Sequence, residues 1–430
     1  MHRFDESRRR VLLAAGAGTG LATLGACATT PPVAEKRLGR VLVVGAGYGG
    51  ATAAKYLKLW GGAGIEVMLV DRQTAFVSCP LSNLVLGGSR AIEDLTVGYE
   101  GLRRQGVVVL SDEVQGIDPV RRRVRFGKFA DQTFDRIVVS PGVDFDFGAV
   151  QGLDADAQST ILHAWKAGPQ TVALRRQLEA MPDGGVYVLT IPPAPYRCPP
   201  GPYERACQVA HYFSQAKPKS KVLILDANDD VTSKGPLFKK AWADRYKGII
   251  DYRPKHNLTD VDAATGTLKF EFNDDVKAQV LNVLPPQRAG DIAHHAGLTT
   301  ANKRWCEVDW QTMESKAARN IHILGDALQV APLMPKSGHM ANQHGKVAAA
   351  AIVALLSGRQ PNALPIYNNT CYSFVSDTDV VHVASVHRYD AAQKTMLTVP
   401  GSGGVSVAAS ELEGKYAMAW ARNIWADTLA

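Results

Sequence analysis

Apolar positions set a repeating pattern along the chain. Arg40-Val41-Leu42-Val43-Val44 is a continuous apolar run of the kind a parallel strand buried on both faces requires. Ala51 to Leu59 follows with helical spacing. Ile65 to Val70 is a second apolar run, closed by Asp71. The same punctuation recurs at Ile137-Val138-Val139, at Gly185 to Thr190, at Lys221 to Asp226 and at Ile321 to Leu324. Short apolar strands alternating with helices predict an α/β protein: two Rossmann-like three-layer domains of the glutathione-reductase type and a C-terminal α+β domain.

At 430 residues the chain is long enough for two or three domains, each burying its own core. Hydrophobic residues make up 46% and charged residues 21%, as in ordinary globular proteins. The formal net charge is +7. Residues 1–26 carry four arginines against two acids, so removing them leaves +5. Basic residues are scattered, which favours solvated surface over nucleic-acid contact.

The N-terminus reads Ser7-Arg8-Arg9-Arg10-Val11-Leu12-Leu13, then an Ala/Gly/Leu stretch to Ala26. A twin arginine before a short, weakly apolar core predicts a Tat-type signal over 1–28 and a periplasmic destination. Leu24-Gly25-Ala26-Cys27 also has lipobox form, so a lipid anchor at Cys27 and ordinary cleavage after Ala28 both remain open. Such an anchor is the only membrane attachment expected. Residues 29–37 read as a linker.

Gly45-Ala46-Gly47-Tyr48-Gly49-Gly50 follows the first strand. Gly45 permits a tight turn, Gly47 lets a pyrophosphate approach, and Gly50 lets helix and strand pack closely. Asp71, 21 residues beyond Gly50, stands where an acid can take ribose hydroxyls. Val139-Ser140-Pro141-Gly142 and Gly325-Asp326-Ala327 each end a strand in a turn. In this order the three segments point to FAD, with Gly142, Gly325 and Asp326 at the cofactor. Lys336 or Ser337 begins a further helix running to Leu356, whose positive end can stabilise negative charge on a reduced flavin.

Gly185 to Thr190 should open a second nucleotide domain. Its glycine loop is replaced by Ile191-Pro192-Pro193-Ala194-Pro195-Tyr196-Arg197-Cys198-Pro199-Pro200. Prolines have no N–H to offer a pyrophosphate, so NAD(P) is not expected. Six cysteines occur: Cys27, Cys79, Cys198, Cys207, Cys306 and Cys371. No Cys-x-x-Cys-His occurs, so no haem is expected on this chain, and no zinc spacing is present. Cys207 and Cys306 read as small buried hydrophobes. From residues alone, pairing of the others stays open, and a structural disulfide competes with a redox one. Glu204 reads equally as an acid/base or as a salt-bridged surface residue.

Several long segments carry a family resemblance: Cys198-Pro199-Pro200-Gly201-Pro202-Tyr203-Glu204-Arg205-Ala206, Pro285-Pro286-Gln287-Arg288-Ala289-Gly290, Met334-Pro335-Lys336-Ser337-Gly338 and Asn369-Thr370-Cys371-Tyr372-Ser373. From about Gly39 onward the chain resembles the flavoprotein subunit of flavocytochrome c sulfide dehydrogenase. The resemblance implies FAD bound covalently through Cys79, a redox disulfide between Cys198 and Cys371, an acid/base at Glu204, and Trp420 beside the flavin. It implies a sulfide substrate and a separate c-type cytochrome subunit as electron acceptor. The expected division is a split FAD domain (38–151 and 290–360), a second Rossmann-like domain without a nucleotide fingerprint (152–289), and a flavin-covering, partner-facing region (361–430). Two rival functions share this chemistry: a sulfide:quinone reductase, and an accessory flavoprotein that binds and reactivates a sulfur-oxidising complex.

Overall fold

A computed structural model describes residues 37–430. The signal, the cleavage alternatives, Cys27 and most of the linker lie outside the described residues. The first sheet has five parallel strands in the order Ile321–Ile323, Arg136–Val139, Gly39–Val44, Ile65–Asp71 and Val108–Ser111. Its central strand pairs Val41 with both Val67 and Arg136, and Val41, Leu42 and Val43 are fully buried. The continuous apolar run therefore has its cause in burial on both faces.

The helix after the glycine loop runs Tyr48–Gly61, three residues earlier than its apolar spacing predicts. Gly49 and Gly50 are weak helix formers. Glycine stands at both positions because the packing leaves no room for a side chain: a Cβ on Gly50 would stand 1.8 Å from the Gly45 carbonyl oxygen, and one on Gly49 2.8 Å from Ser140 Oγ. Gly45 itself has φ +93°, in the region glycine favours.

The second sheet has four parallel strands in the order Ile250–Arg253, Lys221–Asp226, Val186–Ile191 and Val280–Val283. Each parallel sheet is accompanied by a three-stranded antiparallel one, Val114 to Thr133 in the first case and Leu258 to Lys277 in the second. After Ile191 the proline loop leads into the helix Gly201–Ala216, with Pro202 in its first turn, where a missing N–H costs nothing.

The C-terminal part is a three-stranded antiparallel sheet (Ile366–Phe374, Val380–Asp390, Thr395–Val405) followed by the helix Glu411–Leu429. That helix lies against the helix Tyr48–Gly61. Thr52 Oγ1 meets Thr428 Oγ1 at 3.2 Å, and Trp425 Nε1 donates to Tyr48 OH at 3.0 Å. The sheets are distinct, but Arg37–Ala430 pack as one unit.

Gly50→Ala is expected to lose about 1–3 kcal/mol through overpacking, read as a lower Tm together with reduced flavin retention. An unchanged Tm would contradict the packing described at Gly45.

Candidate functional site

One cavity of 770 Å³ collects nearly every residue that the sequence singled out. The glycine loop, Asp71, Gly142 and Asp326 line it from the first sheet. Cys198 and Glu204 enter from the proline loop and its helix, Cys371 and Trp420 from the C-terminal part. Gly50 stands behind the glycine loop and does not line the cavity.

The nucleotide end is open where it must be. A Cβ on Gly47 or on Gly142 would meet nothing within 4 Å. Asp71 ties strand to loop, its carboxylate accepting from the N–H groups of Ala46 (2.6 Å) and Gln73 (2.8 Å). Asp326 follows Gly325 (φ +72°), and burial pushes its pKa up against the pull of Arg197 and Lys336. Its Oδ1 is buried without a partner. A buried acceptor left unpaired calls for a donor, and the hydroxyls of a ribityl chain are suitable donors. The residues present therefore fit FAD.

Lys336 lines the cavity, with its ammonium engaged by the protein itself. Its ammonium donates to the carbonyls of Asp326 (2.9 Å) and Leu328 and lies 3.6 Å from the centre of the Trp305 ring. Burial lowers its pKa to about 7. The helix Gly338–Leu356 begins next to it, capped by Ser337, whose Oγ accepts from Met340 N at 3.0 Å. Trp420 lines the cavity beside Tyr372 and His339, with ring centres 6.1 and 5.9 Å away.

Cys79 sits between the short strand Phe76–Val77 and the helix Ser82–Gly87. The preceding Ser78 is locked by Tyr48 OH at 2.7 Å and by the Pro80 carbonyl at 2.8 Å. The guanidinium of Arg197 donates to Cys79 Sγ at 2.9 Å and to the Trp165 carbonyl.

Cys198 has φ +53°, and its N–H donates to the Lys336 carbonyl at 2.8 Å. Gly201 makes room for the sulfur, since a Cβ there would lie 2.9 Å from Cys198 Sγ. Cys371 lies in the middle of the strand Ile366–Phe374, with Asn369 Nδ2 3.4 Å from its sulfur. Both are free thiols on the wall of the same cavity. Burial pushes both thiols up. At Cys198 the negative charge of Cys371 and then of Glu204 adds to the rise; at Cys371, Lys234 and Asn369 oppose it.

Glu204 is 7% exposed and makes no salt bridge within 4 Å among the described residues, so the surface reading fails. Its carboxylate accepts from Phe374 N and Asn83 Nδ2, both at 2.9 Å, and burial raises its pKa. The packing of the helix Gly201–Ala216 against the C-terminal sheet, which no local pattern encodes, causes this.

Sequence reasoning missed Arg197, Asn83 and Lys234. Arg197 directly precedes Cys198, and that adjacency was its one available signal. Nothing local marks Lys234, which reaches the site through the fold.

Residues 171–285 match the family described as sulfide dehydrogenase [flavocytochrome c] flavoprotein chain, central, and residues 363–429 match flavocytochrome c sulphide dehydrogenase, flavin-binding. Residues 39–171 match pyridine nucleotide-disulphide oxidoreductase. A sulfide dehydrogenase [flavocytochrome c] flavoprotein chain from Chlorobaculum thiosulfatiphilum is 56% identical over 46 residues, covering 94% of that relative and 11% of this chain. The chain belongs to the flavocytochrome c sulfide dehydrogenase flavoprotein family. Its fold is shared more widely. The sulfide:quinone oxidoreductase of Aquifex aeolicus superposes with TM-score 0.70 at 18% identity, covering 90% of this chain and 91% of that one. The water-forming NADH oxidase of Lactobacillus brevis gives TM-score 0.61 at 17% identity over 90% and 91%. Family membership thus rests on sequence, and the solved structures show the fold.

A raised Glu204 pKa has a stability consequence. The folded state holds this proton more tightly than the unfolded chain, whose Glu titrates near ~4.3. The group's stabilising contribution is complete below that value and is lost as pH rises through the raised one. Relative to wild type, Glu204→Gln should therefore become more stable between pH 5 and pH 8, seen as a shift in the Tm difference. A pH-independent difference would refute a raised pKa.

Proposed function

We propose that the protein is the flavoprotein subunit of a sulfide dehydrogenase. It oxidises hydrosulfide to polysulfide or elemental sulfur through a Cys198–Cys371 disulfide and FAD, and passes electrons to a separate c-type cytochrome. The observation that carries this reading is that Cys198 and Cys371, 173 residues apart in sequence, both line one flavin-sized cavity.

Opening the disulfide with hydrosulfide converts it to a persulfide and a thiolate. FAD, when bound, supplies the two-electron acceptor for that thiolate and the one-electron donor for a haem. Glu204, buried beside Cys198 with its pKa raised, can hold a proton near the sulfurs. We assign Cys79 as the covalent attachment point of FAD, with Arg197 holding its sulfur at the cavity wall.

The second domain favours this reading over nicotinamide chemistry. Asp226 ends the strand Lys221–Asp226 where a nicotinamide domain would take a ribose. Its carboxylate is filled internally, by Tyr203 OH at 2.7 Å, Tyr252 OH at 3.1 Å and the Asn228 amide groups. The C-terminal helix turns Ala417, Ala421 and Ile424 inward and leaves Leu412 and Tyr416 exposed. Among the described residues no helix is long and apolar enough to cross a membrane. The arginine-led N-terminus supports Tat export to the periplasm, with Cys27 as the one point where a lipid could anchor the chain.

Anaerobic sulfide should bleach the flavin of the holoprotein. Cys198→Ser and Cys371→Ser should each slow that bleaching at least about tenfold, since neither retains an exchangeable disulfide. Undiminished bleaching in either variant would sink the mechanism, and no bleaching in wild type would favour an accessory role. Acid precipitation should leave flavin on the wild-type polypeptide and release it from Cys79→Ala; flavin released equally from both would refute the attachment.

A further inference from the structure

Lys234 is a buried cation whose opposing charges, Cys371, Glu204, Cys198 and Glu413, form no direct ion pair with it among the described residues. It stands at the start of the helix Gly235–Arg245 with φ +57° and is 8% exposed. Its ammonium donates to the Cys371 carbonyl at 3.0 Å and to Ser373 Oγ at 2.7 Å. Among the described residues it forms no ion pair within 4 Å. Burying an ammonium is costly unless an anion compensates it. Burial lowers its pKa, and the charge that most opposes this is that of Cys371, ahead of Glu204 and Cys198.

The influence is reciprocal and unequal. At Cys371, Lys234 is the foremost group offsetting burial; at Cys198 the foremost is Arg197, with Lys234 after it, and both act against the opposing charges of Cys371 and Glu204. Asn369 Nδ2, 3.4 Å from Cys371 Sγ, adds a second donor, and its Oδ1 is held by Ser337 Oγ at 2.6 Å. Disulfide opening favours the sulfur that leaves as the more stable thiolate.

We propose that Lys234 sets the direction in which the Cys198–Cys371 disulfide opens, by stabilising Cys371 as the leaving thiolate so that hydrosulfide attacks Cys198. The proposal rests on the sulfide-oxidising reading above. The sulfur of HS⁻ forms a bond to Cys198 Sγ, the Cys198–Cys371 bond breaks, and its electron pair stays on Cys371 Sγ. Cys198 ends as a persulfide, –S–SH, and Cys371 as –S⁻. The oxidation of the incoming sulfur is balanced by reduction of the disulfide. Cys371, not Cys198, is then the thiolate. Lys234 acts as a positioning residue, through Cys371.

Two measurements on the holoprotein test this. The first is the pH profile of iodoacetamide alkylation at Cys371 and Cys198 in the reduced protein, read by peptide mass. Lys234→Met should raise the Cys371 inflection by about one pH unit or more, moving that of Cys198 less, and Lys234→Arg should restore it. An unmoved Cys371 inflection would overturn the assignment, whereas a purely structural lysine would not shift it selectively. Lys234→Gln serves the same comparison if the Met variant does not fold. The second is trapping after one equivalent of sulfide without oxygen. The persulfide should lie on the Cys198 peptide; on the Cys371 peptide it would refute the direction. Persulfide on neither would refute the sulfide reading itself, while the alkylation profile would still decide what Lys234 does to Cys371.

Discussion

Lys336 joins the parts of the molecule that must meet for the site to exist. Its carbonyl accepts the N–H of Cys198 at 2.8 Å, and its ammonium holds the carbonyls of Asp326 and Leu328 beneath the Trp305 ring. One buried residue thereby ties the proline loop of the second sheet to the strand end carrying Asp326. The next residue, Ser337, caps a helix and binds Asn369, two residues from Cys371. The two cysteines are thus held through a short run of hydrogen bonds around a single backbone position. The cost of burying the ammonium, visible in a pKa lowered to about 7, is offset by carbonyl and aromatic contacts.

Burial governs the chemistry as well. Desolvation drives Cys198, Cys371 and Glu204 toward their neutral forms, while Lys234, Asn83, Asn369 and the Phe374 N–H return selective stabilisation to particular atoms. The two sulfurs therefore stand in unequal environments. Nearby charge is worth more where water is excluded.

The C-terminal part contributes to both ends of the cavity. Its strand Ile366–Phe374 brings Cys371 and the N–H that binds Glu204. Its helix brings Trp425 onto Tyr48, which in turn holds Ser78 next to Cys79. The Cys79 loop and the strand carrying Cys371 therefore both depend on the packing of the C-terminal part rather than on separate local structures.

The parallel strands, the glycine loop and the strand-end acids were legible in the sequence because they are local. Continuous apolar runs report burial on both faces, and glycine spacing reports the close approach of backbones. The prolines after Ile191 likewise marked the loop that brings Cys198 to the cavity. The environments of Glu204, Lys336 and Lys234 were not legible. Each depends on partners between 8 and 170 positions away, from Leu328 for Lys336 to Phe374 for Glu204. A side chain's charge state is set by desolvation and by neighbours the fold supplies, so sequence alone named the reactive residues and only tertiary packing decided their electrostatic environment.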